Sequence, residues 1–367
     1  MSHRETRADA TARLQGRHQP LIDGGRKDFS PSRWGWLAPV LAGCAAVAGV
    51  AVLYNRKRTA EAERETPPIG RFLTVDGVRL HYLERGQGSP VVLIHGNGTM
   101  IQDFVVSGLV DRLAARHRVI VIDRPGYGYS SRPRGFWTPR AHATLFKAAL
   151  KQLGVTQATV MGHSWGTLVA VALALESPDL VRSLVLASGY YYPTLRADTF
   201  LFSPPAIPVV GDAMRYTVSP LVARAILPAL VKQMFAPAKV TRSFDERFPK
   251  AMMLRPQQLR AAAEDAALMT PTVTELQHHY HELHMPVTMI TGADDQIADF
   301  GRQSERLHRE LPHSELIVLP GLGHMVHHLA PDEVVSAIER GAKPRSERRS
   351  GQQTRPTPGK HANAQSA

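Results

Sequence analysis

Short apolar runs recur along the middle of the chain, separated by stretches of helical pattern. Val91–Ile94, Val119–Ile122, Ala158–Met161, Leu184–Ala187, Val287–Thr291 and Leu316–Leu319 are dominated by Val, Leu, Ile and Ala. Continuous apolar character marks strands buried on both faces, and their alternation with helices predicts an α/β architecture with a predominantly parallel sheet. Ahead of them, Phe72–Val75 and Val78–Leu83 flank the turn residues Asp76-Gly77 and read as a leading β-hairpin. The alternation breaks after Gly189. Residues 190–286 are helical in pattern and punctuated by prolines, as expected of a cap inserted over the strand edge. No internal repeat is evident.

A different pattern occupies the N-terminal part. Residues 34–54 form an uncharged run of 21 residues, long enough to span a bilayer as a helix. Trp34, Trp36 and Tyr54 mark its ends as interfacial aromatics do, and Arg56-Lys57-Arg58 stops it. The run is too long, and too far from Met1, for a good cleaved signal peptide. Two competing readings stay open: a buried core helix, and a lipoprotein, since Leu41-Ala42-Gly43-Cys44 resembles a bacterial lipobox. The favoured reading is a single-pass protein of the bacterial inner membrane. Its orientation is undecided, because Arg26, Lys27 and Arg33 on one side face Arg56, Lys57, Arg58 and Arg64 on the other. The chain thus divides into a polar tail (1–33), a membrane helix (34–54), a juxtamembrane linker (55–66), an α/β domain (67–341, with the cap at 190–286) and a basic tail (342–367).

Net charge is +12, and its placement matters more than its size. Residues 1–33 hold seven Lys/Arg against four Asp/Glu, and residues 342–367 hold six against one. The C-terminal tail, rich in Arg, Gln, Pro and Ser, has the composition of a disordered segment. It suits a solubilising role or contact with anionic headgroups. No nucleic-acid partner is expected, because no aromatic residues interleave with these charges. Cys44 is the only cysteine, which excludes an intramolecular disulfide and fits either compartment.

The candidate chemistry starts at Gly162-His163-Ser164-Trp165-Gly166, between an apolar run and an Ala/Leu/Val-rich helical run. A serine between two glycines, where a strand turns sharply into a helix, is the context of a nucleophile elbow. Ser164 would stand at a helix N-terminus, where N–H groups and the dipole favour developing negative charge. A serine hydroxyl needs a base, itself oriented by a third group. The run Leu316–Leu319 leads into Gly321-Leu322-Gly323-His324, which makes His324 the candidate base. His327 and His328 lie past that turn and are expected to line the site or sit at the surface. The run Val287–Thr291 leads into Gly292-Ala293-Asp294-Asp295-Gln296-Ile297, whose spacing favours Asp295 over Asp294 as the acid. The loop after the preceding strand, Ser188–Pro193, holds no carboxylate.

An oxyanion hole would take one N–H from Trp165, after the serine, and another from the Gly-rich loop His95-Gly96-Asn97-Gly98, with Asn97 the donor. Tyr190 and Tyr191, at the start of the cap, are candidate substrate-binding residues. Six of the 11 methionines fall in the cap, suiting either an adaptable apolar pocket or ordinary helix packing. His278, His279, His281 and His284 form a cluster without the carboxylate spacing of a metal site, and read as a polar helix face.

Together these pieces resemble the α/β-hydrolase superfamily, in particular its capped, lipase/esterase-like members, over about Gly70 to Gly341. The segment Asp123-Arg124-Pro125-Gly126-Tyr127-Gly128-Tyr129-Ser130 matches one those proteins carry after the fourth strand. Its expected role is mainly structural, with Tyr127 or Tyr129 near the pocket. Epoxide hydrolases and haloalkane dehalogenases of the superfamily use an Asp nucleophile, and Ser164 argues against both. Gly-x-Ser-Trp-Gly is also similar to the proline iminopeptidases, but His95-Gly96-Asn97-Gly98-Thr99 stands where those carry His-Gly-Gly-Pro-Gly. The resemblance implies a serine hydrolase with Ser164, Asp295 and His324 as triad, acting on a small-molecule ester or lipid-like substrate with no cofactor and no metal, and the run 34–54 adds a membrane anchor. C–C bond hydrolases, thioesterases, amidases and perhydrolases share that constellation, and a non-catalytic binding protein is the reading from another class.

Overall fold

The computed structural model describes residues 36–194 and 204–342. The polar segment 1–33, Trp34 at the start of the apolar run and all but the first residue of the basic tail 342–367 lie outside the described residues.

The sheet explains why the apolar runs fall where they do. β1 (Arg71–Val75) and β2 (Val78–Arg85) form the expected hairpin, with Val75 opposite Val78. β3 (Ser89–Ile94), β4 (His117–Ile122), β5 (Ala158–His163), β6 (Val181–Ala187), β7 (Val287–Gly292) and β8 (Glu315–Leu319) each contain one of the runs. The strand order is β1-β2-β4-β3-β5-β6-β7-β8, with β2 antiparallel to β4 and every later neighbour parallel. β5 and β7 are buried along their whole length, whereas β8 at the edge is only half-buried.

Register sorts the side chains onto two faces. Val92 pairs with Ile120 and Val160, and these pack with Phe146 and Ala149 of one helix and Leu168 and Ala172 of another. Leu93 pairs with Val121 and Met161, which face Leu109, Leu113, Val334 and Ile338 instead. Each such side chain contributes roughly 1.5–3 kcal/mol on full burial. The helices in chain order are α1 (Leu37–Glu65), α2 (Ile101–Val106), α3 (Leu109–Ala114), α4 (Pro139–Gln152) and α5 (Gly166–Glu176). After β6 come α6 (Val210–Tyr216), α7 (Ser219–Phe235), α8 (Arg242–Arg247), α9 (Lys250–Met253) and α10 (Pro256–Leu276). α11 (Arg306–Glu310), α12 (Val326–Leu329) and α13 (Pro331–Ala342) follow β7 and β8. Among the described residues the stretch between β6 and β7 contains helices and no strand.

Among the described residues, α1 is long and apolar enough to cross a membrane, and its apolar part is not buried. It does not stop at Tyr54 but continues to Glu65, through the stretch read as a linker. Ala, Glu, Lys and Arg dominate residues 56–65 and are good helix formers, and Arg58 meets Glu61 at 2.8 Å one turn on. This continuation is gripped by the domain. Asn55 Nδ2 donates to the carbonyls of Tyr216 and Thr217 at 3.0 and 2.8 Å, Ala62 is buried, and Glu63 pairs with Arg255 at 2.9 Å.

Candidate active site

Ser164 sits between β5 and α5 with φ of 52°, a left-handed conformation that costs a non-glycine residue about 1–3 kcal/mol. The turn is pinned on both sides. Ser164 N–H donates to Ala187 O at 2.9 Å, and Ser164 O accepts from Thr167 N–H at 3.0 Å and from the Thr167 hydroxyl at 2.6 Å. The flanking glycines are required by close approach: a Cβ on Gly162 would lie 2.4 Å from Gly166 O, and one on Gly166 would lie 2.3 Å from Ile94 O. The serine itself is half-buried.

Two loops at the carboxyl ends of β7 and β8 bring the expected acid and base together. His324 Nδ1 lies 2.8 Å from Asp295 Oδ2, and both side chains are buried. The other carboxylate oxygen, Oδ1, accepts from the N–H groups of Ile297 and Ala298 at 2.8 and 2.9 Å. The neighbouring Asp294 does something else, accepting from Gly321 N–H at 3.0 Å and so bracing the turn before His324. Gly292 allows the two loops to meet, since a Cβ there would fall 2.1 Å from Leu322 O. His163, beside the serine, donates from Nε2 to the His324 carbonyl at 3.2 Å, which joins the elbow to the histidine loop.

The expected oxyanion donors stand on the loops that follow β3 and β5, which are neighbours in the sheet. Among the described residues no hydrogen bond engages the backbone N–H of Asn97 or of Trp165. Their side chains are held firmly. Asn97 Nδ2 donates to Ala262 O at 3.1 Å, and the Trp165 indole donates to Asp265 O at 3.1 Å. The Tyr127 hydroxyl lies 2.7 Å from Asn97 Oδ1 and 2.8 Å from Asp265 Oδ2, and its one proton serves one of these acceptors at a time.

Beneath the donors lies a buried ionic cluster that the sequence did not reveal. Arg124 donates to His95 O, Gly96 O and Asp265 Oδ2 at 3.0, 2.9 and 2.6 Å, so one guanidinium holds the His95–Gly98 loop and α10 together. Arg132 reaches the other Asp265 oxygen at 3.1 Å and Glu264 at 2.7 Å. Burial pushes the Asp265 carboxyl up, but the Arg124 and Arg132 charges outweigh it and leave it below the usual carboxylate value. Burial, reinforced by Arg124, pushes His95 down to about 4. A neutral ring fits its contacts, because Nε2 accepts from Arg124 N–H at 2.9 Å and Nδ1–H donates to Gly96 O at 2.9 Å. Arg124 stands in the segment Asp123–Ser130 that the motif singled out, but nothing local in α10 marks Asp265 as its partner.

The cap-root tyrosines and the two later histidines all lie inside the fold. Tyr190, Tyr191 and Tyr192 are all buried, and Tyr191 and Tyr192 pack edge-on against Tyr280 with ring centroids 6.4 and 5.7 Å away. The Tyr191 and Tyr192 N–H groups donate to Gln303 Oε1, and the Tyr190 hydroxyl meets the Thr194 hydroxyl at 2.9 Å, which fixes this stretch at the root of the insertion. His327 and His328 are not at the surface either. Both are buried, at 0% and 7% exposure, with their imidazoles against Asp103 of α2.

Comparison with known proteins agrees with this architecture. A mycobacterial protein of uncharacterized function, from Mycobacterium tuberculosis, is 29% identical over 296 residues, covering 78% of this chain and 85% of its own length. Haloalkane dehalogenase 2 of the same organism is 27% identical over 273 residues, covering 71% of this chain and 90% of its own. Among solved structures, an esterase from Exiguobacterium antarcticum superposes with a TM-score of 0.62 at 21% identity, covering 75% of this chain and all of that one. The family model described as the alpha/beta hydrolase fold matches residues 89–331, most of the chain, with the elbow and both loops inside it. The protein belongs to the α/β-hydrolase family.

Proposed function

We propose that this protein is a membrane-anchored serine hydrolase that cleaves a carboxylic ester with an apolar portion. The observation that carries the reading is the buried Asp295–His324 pair at 2.8 Å, on the same strand edge as a serine held at φ of 52°. Asp295, locked by two backbone N–H groups, fixes the His324 ring with its proton on Nδ1, which leaves Nε2 as the base. Ser164 Oγ attacks the ester carbonyl as Nε2 takes its proton, and the oxyanion falls to the N–H groups of Asn97 and Trp165. Removing one such donor typically costs about 3–4 kcal/mol of transition-state stabilisation. His324 then protonates the leaving alcohol, and water repeats the sequence on the acyl-enzyme. Ser164 favours this over dehalogenation, for which the family uses an aspartate at that position.

The anchor in this reading is the apolar part of α1. Purified protein is expected to hydrolyse short and medium p-nitrophenyl esters and to be labelled by a fluorophosphonate. Ser164→Ala should remove both signals while circular dichroism and Tm stay unchanged. Labelling that persists in Ser164→Ala would exclude the assignment, and a wild type that neither turns over esters nor labels would favour a binding protein.

A further inference from the structure

We propose that Asp103, His327 and His328 bind one divalent transition-metal ion, best matched by Zn²⁺, next to the loop that carries His324. The three side chains are at most 7% exposed, and one ligand atom from each lies within 4.8 Å of the others. Asp103 Oδ1 is 2.8 Å from His328 Nε2 and 3.2 Å from His327 Nε2. Ligands of a tetrahedral zinc at 2.0–2.1 Å stand about 3.3 Å apart, and both carboxylate–imidazole separations are near that value.

The hydrogen-bond inventory points the same way. His328 Nε2 is bonded to Asp103, but His327 Nε2, at 3.2 Å from the same oxygen, makes no hydrogen bond, and Asp103 Oδ2 is also without a partner. Buried polar groups are nearly always paired, and an imidazole nitrogen and a carboxylate oxygen left unpaired in one cluster call for a partner such as an ion. Two imidazole nitrogens converge on one carboxylate oxygen, an arrangement that a cation cage shares. The phenyl rings of Phe104, Phe235 and Phe244 lie 5.2–5.7 Å from the two imidazoles and keep the cluster dry.

Two nitrogens and one oxygen without thiolate suit zinc, not copper(I) or an iron–sulfur cluster, and calcium or magnesium would take oxygen ligands. Asp103 belongs to α2, which follows the oxyanion loop, and the two histidines open α12, three residues beyond His324. The ion would therefore rivet together the two segments that carry the donor and the base. This holds whatever substrate the enzyme takes.

The test uses the full-length chain in detergent, purified without a polyhistidine tag. Elemental analysis should find about one zinc per chain, and a chelator should lower Tm, with recovery on adding Zn²⁺. Co²⁺ in place of zinc should give the visible spectrum of a four-coordinate nitrogen/oxygen site. Asp103→Asn and His328→Gln should each weaken Zn²⁺ binding by more than about 100-fold, the upper end for loss of an outer-sphere partner alone. A His278→Gln/His281→Gln variant should bind as the wild type does. Metal-free protein whose Tm ignores Zn²⁺, Co²⁺ and Mn²⁺ would overturn the proposal in favour of buried water. So would metal retained at full affinity in both ligand variants. If those variants fail to fold, the wild-type Co²⁺ spectrum decides, with a six-coordinate signature counting against the site.

Discussion

Asp295 meets His324 through one carboxylate oxygen at 2.8 Å while its other oxygen is fully committed to the N–H groups of Ile297 and Ala298. The acid is therefore fixed before the histidine is considered, and it can only orient the ring one way. Asp295→Asn keeps the shape but favours the wrong tautomer, and kcat for ester hydrolysis should fall by roughly 10³–10⁴-fold. Asp294→Asn touches only the Gly321 turn and should change kcat by less than about tenfold. Equal losses in the two variants, measured on one p-nitrophenyl ester, would count against the assignment.

Breaking the Arg124–Asp265 pair should be costly, and deleting it should not. Asp265→Leu leaves the buried Arg124 guanidinium without a carboxylate, while Arg132 keeps Glu264, and is expected to destabilise the fold by about 3–5 kcal/mol. The Arg124→Leu/Asp265→Leu double variant should recover much of that loss, because no isolated charge remains beside the oxyanion loop. Denaturant midpoints of the two single variants and the double variant read the coupling directly.

Stability should fall as pH drops below neutrality. His95 and His142 titrate at about 4 and about 3 in the folded chain because burial disfavours their charged forms. In the unfolded chain they take up protons near 6.5, so the unfolded state binds more protons between these limits. The stabilisation is complete above pH 6.5 and is lost progressively toward pH 4, with His95 alone worth up to about 3 kcal/mol. A Tm that is the same at pH 7.5 and pH 5 would contradict this.

Gly323→Ala should disable the site without touching a catalytic group. The added Cβ would fall 2.0 Å from Ala236 O, at the end of α7, so the His324 loop has to move. A displacement of about 1 Å in a reacting group can cost on the order of 100-fold in rate. We expect a loss of that size in kcat with fluorophosphonate labelling slowed in parallel.

Removal of residues 1–54 should release the protein from the membrane fraction while esterase activity survives. The cut must stop there, because Asn55, Ala62 and Glu63 are anchored on the domain. A deletion through residue 66 should lower Tm and yield, which separates the anchoring part of α1 from the part that belongs to the fold. Continued sedimentation with membranes after the shorter deletion would argue against the anchor.

Much of this was readable from residues alone, for physical reasons. Runs such as Val119–Ile122 are too short and too continuously apolar to be anything but strands, and Gly162, Gly166 and Gly292 are demanded by backbone contacts of 2.1–2.4 Å. The choice of Asp295 over Asp294 followed from loop spacing. The buried ion pairs did not show, because Arg124 and Asp265 are 141 residues apart and nothing local in α10 marks Asp265 as the partner of the Asp123–Ser130 segment. The burial of His327 and His328 was missed because a histidine pair after a turn looks like a polar surface until α2 and the phenyl rings close over it. Nor did the charged stretch 55–65 announce that it would stay helical and dock.

Arg124 ties the stretch between β6 and β7 to the sheet beneath it. Its guanidinium grips the carbonyls of His95 and Gly96 with one set of protons and an acid of α10 with another, while that acid's own carbonyl holds the Trp165 indole. Evolution or engineering that swaps the cap for another therefore cannot treat it as an interchangeable module. A replacement lacking a carboxylate at position 265 would arrive with new walls for the substrate and loosened donors for the reaction, and a change in selectivity would carry a change in rate with it.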